Sequence, residues 1–180
     1  MTQAVQIPGY IAGTWAIDPV HSDVSFVVRH LGVSKVRGHF DAFEGTIVTA
    51  ENPLESTVNA KIETASINTK NGQRDAHVKN EDFLDVEKHP ELTFSSTGVR
   101  AHGEGFLVDG DLTLRGVTKS VTLELEINGF GEGMGGSTVA GFSASTDISR
   151  KDFGVTGGAA GAAVGDKITI LLEIEALLQS

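Results

Sequence analysis

The chain has 180 residues, a formal net charge of −10 and no cysteine. Neutralising nucleic-acid phosphates takes clustered Lys and Arg, so an acidic chain of this kind is not expected to bind nucleic acid, and its overall charge disfavours loose docking on anionic membranes. The lack of cysteine excludes disulfides, thiolate metal sites and thiol redox chemistry, and no apolar run is long enough to span a bilayer, so no integral membrane contact is expected.

The length fits one all-β domain. Met1 to Gly13 lacks a basic segment followed by an apolar run, so no secretory signal is expected and the expected location is cytoplasmic. Residues 1–12 are expected to form a flexible arm and 13–180 a single domain. Trp15 to Asp18 is a short strand closed by Pro19. From Ser22 to His30, Val24, Phe26 and Val28 alternate with Asp23, Ser25 and Arg29, the period-two pattern of a half-buried strand. Val36, Gly38 and Phe40 share one parity, whereas Phe43, Gly45 and Ile47 have the other. A bulge near Asp41-Ala42 accounts for the switch. Thr57 to Ile62 is the next strand.

The pattern changes between Ala65 and Pro90. Gln73 to Lys79 is charged and compatible with a helix, and Asn80 to Leu84 predicts a second short helical turn with Asn80 as its cap. Leu92, Phe94 and Ser96 resume the sheet. Phe106, Val108, Leu112 and Leu114 then alternate with polar residues, and Val121, Leu123, Leu125 and Ile127 do so after a turn near Gly116. This is the signature of an antiparallel hairpin. Gly129 to Ser137 reads as a flexible connection. Thr138 to Ile148 is a strand with Ala140, Phe142, Ala144, Thr146 and Ile148 facing inward. Gly154 to Gly165 reads as a long loop of Gly and Ala, and Ile168 to Leu178 as the last strand.

About eight or nine antiparallel strands with one helical insertion imply closure into a barrel. At about eight strands the interior can hold one small ligand. Small residues on the inward parities, Gly38, Gly45 and Gly110 among them, leave two alternatives: bends beside a core filled by phenylalanine, or a cavity. Periodicity does not choose between them.

The order of motifs resembles the YceI-like family, polyisoprenoid-binding proteins with a lipocalin-like barrel. The opening stretch runs Trp15-x-Ile17-Asp18-x-x-His21-Ser22-x-Val24-x-Phe26. His30-x-Gly32-x-Ser34-x-Val36-x-Gly38-x-Phe40-x-x-Phe43-x-Gly45 follows in register. Arg74-Asp75-x-His77-Val78, Asp82-Phe83-Leu84-Asp85 and His89-Pro90-x-Leu92-x-Phe94 resemble the helical insertion and return strand. Gly110-x-Leu112-Thr113-Leu114-x-Gly116-Val117-Thr118-Lys119 is similar to the central hairpin, and Arg150-x-Asp152-Phe153-Gly154 with Val164-Gly165-Asp166-x-Ile168 to the closing segments. Val78, Leu84 and His89 stand where Leu, Phe and Tyr are commoner.

The resemblance implies an all-β, eight-stranded antiparallel lipocalin-like barrel with a short helical insertion near residues 72–85, often a homodimer, enclosing an apolar pore. It implies a non-catalytic carrier that sequesters a polyisoprenoid or another long-chain amphiphile as ligand, with no cofactor. The expected pore wall is Phe26, Val28, Phe40, Phe43, Phe94, Phe106, Leu112, Leu114, Phe142, Ala144 and Ile170. Arg74 and His77, three apart on the helical insertion, share a face and with His30 are the candidate head-group residues.

The same residues leave other chemistries open. His21, His30 and His39 could hold a metal ion for an enzyme, but a nine-residue step turns neighbours to opposite faces of regular strands. Asp18 and His21 are expected to hydrogen-bond across the Pro19 turn. Ser22 beside them supplies the residue types of an acyl-transfer triad, but no oxyanion-hole motif accompanies it. A third alternative is a structural dimer with a filled core.

Overall fold

The computed structural model describes residues 6–179, which form eleven strand segments and one α-helix. The sequence pattern is clearest in β8 (Gly105–Leu114), where Phe106, Val108, Leu112 and Leu114 are all buried. β9 (Val117–Glu132) returns antiparallel after a two-residue turn, with Leu114 opposite Val117. Arg115 and Gly116 form that turn at φ 51° and 75°, the left-handed pair whose twist matches flanking strands.

The ring runs β1 (Gly13–Ile17), β4 (Phe43–Thr49), β5 (Thr57–Glu63), β7 (Glu91–His102), β8, β9, β10 (Thr138–Ser149) and β11 (Val164–Gln179), and closes by pairing β11 with β1. Every pairing is antiparallel. This is a closed eight-stranded barrel of lipocalin-like form. Three further segments continue rows of the ring. β2 (Asp23–His30) pairs with β11 beyond β1, β3 (Ser34–Phe40) pairs with β2, and β6 (Ile67–Asn68) pairs with β3. Three rows are therefore broken in mid-barrel. The break between β3 and β4 falls at Asp41-Ala42, where the hydrophobic parity switches, so Phe40 and Phe43 both face the interior.

Two connections differ from the sequence expectation. Gly129 to Glu132 is not a flexible connection but the end of β9, paired with Thr138 to Gly141 after a register shift. The turn itself is confined to Gly133–Ser137, where Gly133 N–H donates to the Ser137 carbonyl at 2.8 Å. Asn80 ends α1 (Gly72–Lys79) and, as expected, caps the segment that follows, its side chain accepting from Asp82 N–H at 2.9 Å and its carbonyl from Phe83 N–H at 3.1 Å, but Glu81 to Leu84 form a hydrogen-bonded turn rather than a helix. Asn71 caps α1 by accepting from Arg74 N–H at 2.9 Å. After Asn80 the chain folds back, with Leu84 N–H donating to Val78 O at 3.0 Å and Asp85 left-handed at φ 48°. That return drops Phe83 and Leu84 into the barrel end, where both are buried.

Of the expected arm, residues 1–5 lie outside the described residues. Tyr10 is held by a hydrogen bond to Ala50 O and an edge-on contact with Phe130, ring centres 5.4 Å apart. Ile11 O accepts from Thr49 Oγ1 at 2.8 Å, and Thr49 in turn accepts from the indole of fully buried Trp15.

The interior has a filled end and a hollow middle. At the helix end, Ile67, Phe83, Leu84, Leu114, Ile148, Phe153 and Val155 pack as one cluster. The Gly154–Gly165 segment closes over it as short turns wrapped around Arg150, which is only 3% exposed. All five guanidinium donor positions are used. Nε meets Gly165 O, Nη1 meets Val155 O and Thr156 O, and Nη2 meets Gly161 O and Val164 O, at 2.8–3.0 Å. A segment of Gly and Ala has almost no side chains from which to build a core, so the arginine serves as its core. A buried cation is tolerable because every N–H is matched.

Candidate functional site

The barrel middle contains a cavity of about 190 Å3. Of the expected wall, Phe26, Phe40, Phe43, Phe94, Phe106, Leu112, Phe142, Ala144 and Ile170 line it. Val28 and Leu114 lie outside its lining. Val28 sits further along β2, opposite Val36 and Ile168, and Leu114 packs into the filled cluster with Phe83 and Phe153. Parity fixes the face of a strand but not the depth along it. Further wall residues come from β5 and β9, among them Val58, Ala60, Ile62, Leu123 and Ile127. Their inward parity was visible in the sequence.

The small residues are neither simple bends nor empty space. Gly38 lies under the ring of Phe26, and Gly110 under the ring of Phe94, so closely that a Cβ at either position would collide with the ring. At Gly45 a Cβ would come within 2.6 Å of Ile17 Cδ1. The glycines let large side chains lie flat against the wall, so the rings occupy the wall rather than the centre.

Polar groups on the wall are few, and two of them are engaged within the barrel. Ser25 donates to Leu171 O at 3.3 Å and Thr146 to Thr122 O at 2.8 Å. Among the described residues, no buried side-chain nitrogen or oxygen lacks a hydrogen-bond partner. Glu44 reaches the lining but is mostly exposed and pairs with Lys61 at 3.3 Å. Tyr10, Pro53 and Ser56 also border the cavity, near the β4–β5 connection. The void thus offers an apolar chain an almost wholly apolar contact area.

The candidate head-group residues do not reach it. Arg74 turns back on Thr69, donating to its hydroxyl at 2.8 Å and its carbonyl at 2.7 Å. His77 Nε2 meets Asp82 Oδ2 at 3.0 Å, and its ring stands edge-on to Phe83 at 5.1 Å. That pair braces the Phe83 plug. His30 is exposed at the end of β2.

The three histidines of the metal alternative are not brought together. His39 Nδ1 bonds Asp23 Oδ1 at 2.8 Å, opposite Ser25, whereas His30 sits opposite Ser34 at the far end of the same strand pair. His21 Nδ1 bonds Asp18 Oδ2 at 2.7 Å and lies 3.3 Å from Glu175 Oε2. Those three residues are a close group of metal-ligand types, but Asp18 also accepts from Val20 N–H at 2.9 Å. Ser22 does not face His21 as a nucleophile would; its hydroxyl exchanges hydrogen bonds with the Glu175 backbone. The group pins the corner between β1 and β2 to β11. The hydrogen bond to Asp18, followed by the nearby Asp18 and Glu175 charges, raises the His21 pKa above its ordinary value. The same hydrogen bond lowers that of Asp18.

Comparison with known proteins agrees with this architecture. A family model described as the YceI-like domain matches residues 15–176. The protein called YceI in Escherichia coli is 42% identical over 148 residues, covering 81% of this chain and 78% of that protein. A crystal structure of a Campylobacter jejuni YceI protein matches with a TM-score of 0.75 at 31% identity, covering 84% of this chain and 90% of that one. A polyisoprenoid binding domain from Saccharophagus degradans shares the fold with a TM-score of 0.72 at 16% identity, over 94% of this chain and 100% of that one.

Proposed function

Because the chain belongs to the YceI-like domain family, we propose that its barrel is a non-catalytic carrier which sequesters the hydrocarbon chain of a polyisoprenoid or similar long-chain lipid. The observation that carries this reading is the chemistry of the wall: a void of about 190 Å3 lined almost entirely by aliphatic and aromatic groups. A site built for a polar substrate would present convergent donors and acceptors. The relative from Saccharophagus degradans, described as polyisoprenoid binding, points the same way through its fold.

The size of the void sets what the ligand must do. A cavity of about 150 Å3 houses one benzene-sized group, so this one takes one or two isoprene units. At about 0.8 kcal/mol per buried carbon group, each five-carbon unit contributes roughly 4 kcal/mol gross. Two units exceed the lowest association cost, about 4 kcal/mol, by only a few kcal/mol, which corresponds to roughly millimolar affinity. Tighter binding requires the walls to part and admit further units. The head group stays at the rim, near Tyr10, Ser56 and the Glu44–Lys61 pair, rather than at His30, Arg74 or His77.

The test is calorimetric titration of the purified chain with geraniol, farnesol and geranylgeraniol, beside solvent extraction and mass analysis of the protein as isolated. Affinity is expected to rise with each added isoprene unit until the barrel can widen no further. A folded protein that yields no extracted lipid and binds none of the three alcohols removes the carrier reading.

A further inference from the structure

The β2–β3 hairpin carries a charge opposite to that of the chain. From Val24 to Phe40 there is no aspartate or glutamate, whereas Arg29, Lys35 and Arg37 supply cations, in a protein of net charge −10. Arg29 stands directly across from Lys35, and both are exposed. Like charges directly opposite on neighbouring strands destabilise a sheet. Among the described residues, no ion pair to a carboxylate offsets any of the three. Lys167 on the adjacent β11 is exposed as well. Its neighbour Asp166 is turned away, accepting from the Ser149 hydroxyl and Lys151 N–H.

The tip between the two strands is apolar. Leu31 is 63% exposed and Val33 83%. Leu31 and Gly32 are left-handed, at φ 56° and 69°, a turn that Asn-Gly or Gly-Gly forms without strain. A leucine here gains no packing to offset its backbone. The tip is nevertheless fixed. Val33 N–H donates to His30 O at 3.1 Å, and Leu31 N–H donates to Ala163 O at 2.8 Å. That contact sets it beside the Gly158–Ala163 turn, where Ala159 and Ala162 are exposed.

We propose that this hairpin docks the protein on an anionic lipid bilayer. Leu31 and Val33 enter the boundary between headgroups and acyl chains, and Arg29, Lys35 and Arg37 meet lipid phosphates. An apolar prong ringed by cations matches a plane of anionic headgroups over hydrocarbon. The acidic remainder of the surface is repelled by the same plane, so the molecule approaches hairpin first. This surface is separate from the cavity and does not depend on what fills it.

The full chain is tested by flotation with vesicles of pure phosphatidylcholine and of phosphatidylcholine with phosphatidylglycerol, at low salt and at high salt. Binding is expected on the anionic vesicles alone and is weakened by salt. At about fivefold for each cation lost, the triple variant Arg29→Gln, Lys35→Gln, Arg37→Gln lowers partitioning on the order of 100-fold. Leu31→Ser with Val33→Ser lowers it at least about tenfold. Both variants keep the wild-type geranylgeraniol affinity and melt no lower than wild type, because the hairpin tip supports neither the core nor the void and the triple variant also relieves the repulsion between Arg29 and Lys35. The proposal is overturned if wild-type protein stays off anionic vesicles, which would leave the hairpin to an acidic protein partner. Equal binding to neutral vesicles, or variants that bind like wild type, also overturn it.

Discussion

Replacing Ala144 with phenylalanine tests the void directly. Ala144 lies on β10 between Phe142 and Thr146, and all three side chains border the cavity. Since a void of about 150 Å3 takes a benzene and this one measures about 190 Å3, Ala144→Phe places a ring in space that already exists. Filling roughly 150 Å3 at ~24 cal/mol per Å3 returns about 3–4 kcal/mol. Adjusting neighbours around a rigid ring costs about 1–3 kcal/mol. The folded state should therefore be between unchanged and roughly 3 kcal/mol more stable, a rise in melting temperature of up to about 10 °C. The ring also takes the place of one isoprene unit, worth roughly 4 kcal/mol, so geranylgeraniol affinity should fall about 1,000-fold. Differential scanning calorimetry and isothermal titration measure the two effects on one sample. A variant that melts lower while keeping wild-type affinity refutes the placement of Ala144 and, with it, the void.

Arg150→Met leaves the five carbonyls around the guanidinium without their donor. A loss of about 3–5 kcal/mol is expected, seen as a melting temperature lower by roughly 10–15 °C and faster proteolysis within Gly154–Gly165. At Gly38, Ala should displace the Phe26 ring at a cost of about 1–3 kcal/mol. Adding Phe26→Ala should make that second cost less than additive in a double-mutant cycle; strict additivity would refute the contact. The corner of Asp18 and His21 gives a pH signature. His21 has a folded pKa raised above 6.5, so its contribution is complete below 6.5 and is lost as pH rises through the folded value. Asp18 has a folded pKa below 3.8, so its contribution is present above 3.8 and is lost as pH falls through the folded value. The corner is therefore firmest between those ordinary values, and an NMR titration should place the His21 midpoint above 6.5, moving down in Asp18→Asn. A wild-type midpoint at or below 6.5 would refute the hydrogen bond.

The barrel was legible because period-two alternation survives wherever one strand face is buried, as in Phe106 to Leu114. Even the break at Asp41-Ala42 announced itself, through the parity switch between Phe40 and Phe43. Gly129 to Glu132 reads as a connection because glycine carries no strand signal of its own; the pairing with Thr138 to Gly141 supplies what local sequence lacks. Arg74 and His77 do share a helix, but their side chains are taken by Thr69 and Asp82, tertiary choices that spacing cannot reveal. Arg150 had a usable signal: an arginine ahead of a long Gly and Ala run, which needs donors because it has no side chains to pack. The whole-chain charge concealed the β2–β3 hairpin, since an average over the sequence does not register cations that two strands bring side by side.

The same eight rows of strands enclose both a packed end and a hollow middle, and the strands do not decide which is which. Eight strands leave an interior that their own side chains fill only when the inward residues are large enough. At the packed end the filling comes from outside the ring: Phe83 and Leu84 from the turn after α1, and Phe153 and Val155 from the segment after β10, all four buried in one cluster. None of them lines the cavity. The void begins where these inserted side chains stop, so its depth is set by two connections and by the contacts that hold them, His77 to Asp82 and Arg150 to its ring of carbonyls. For a carrier, the length of chain that fits before the walls must part is then set by loops, and barrels with the same strands but other insertions would accept chains of other lengths.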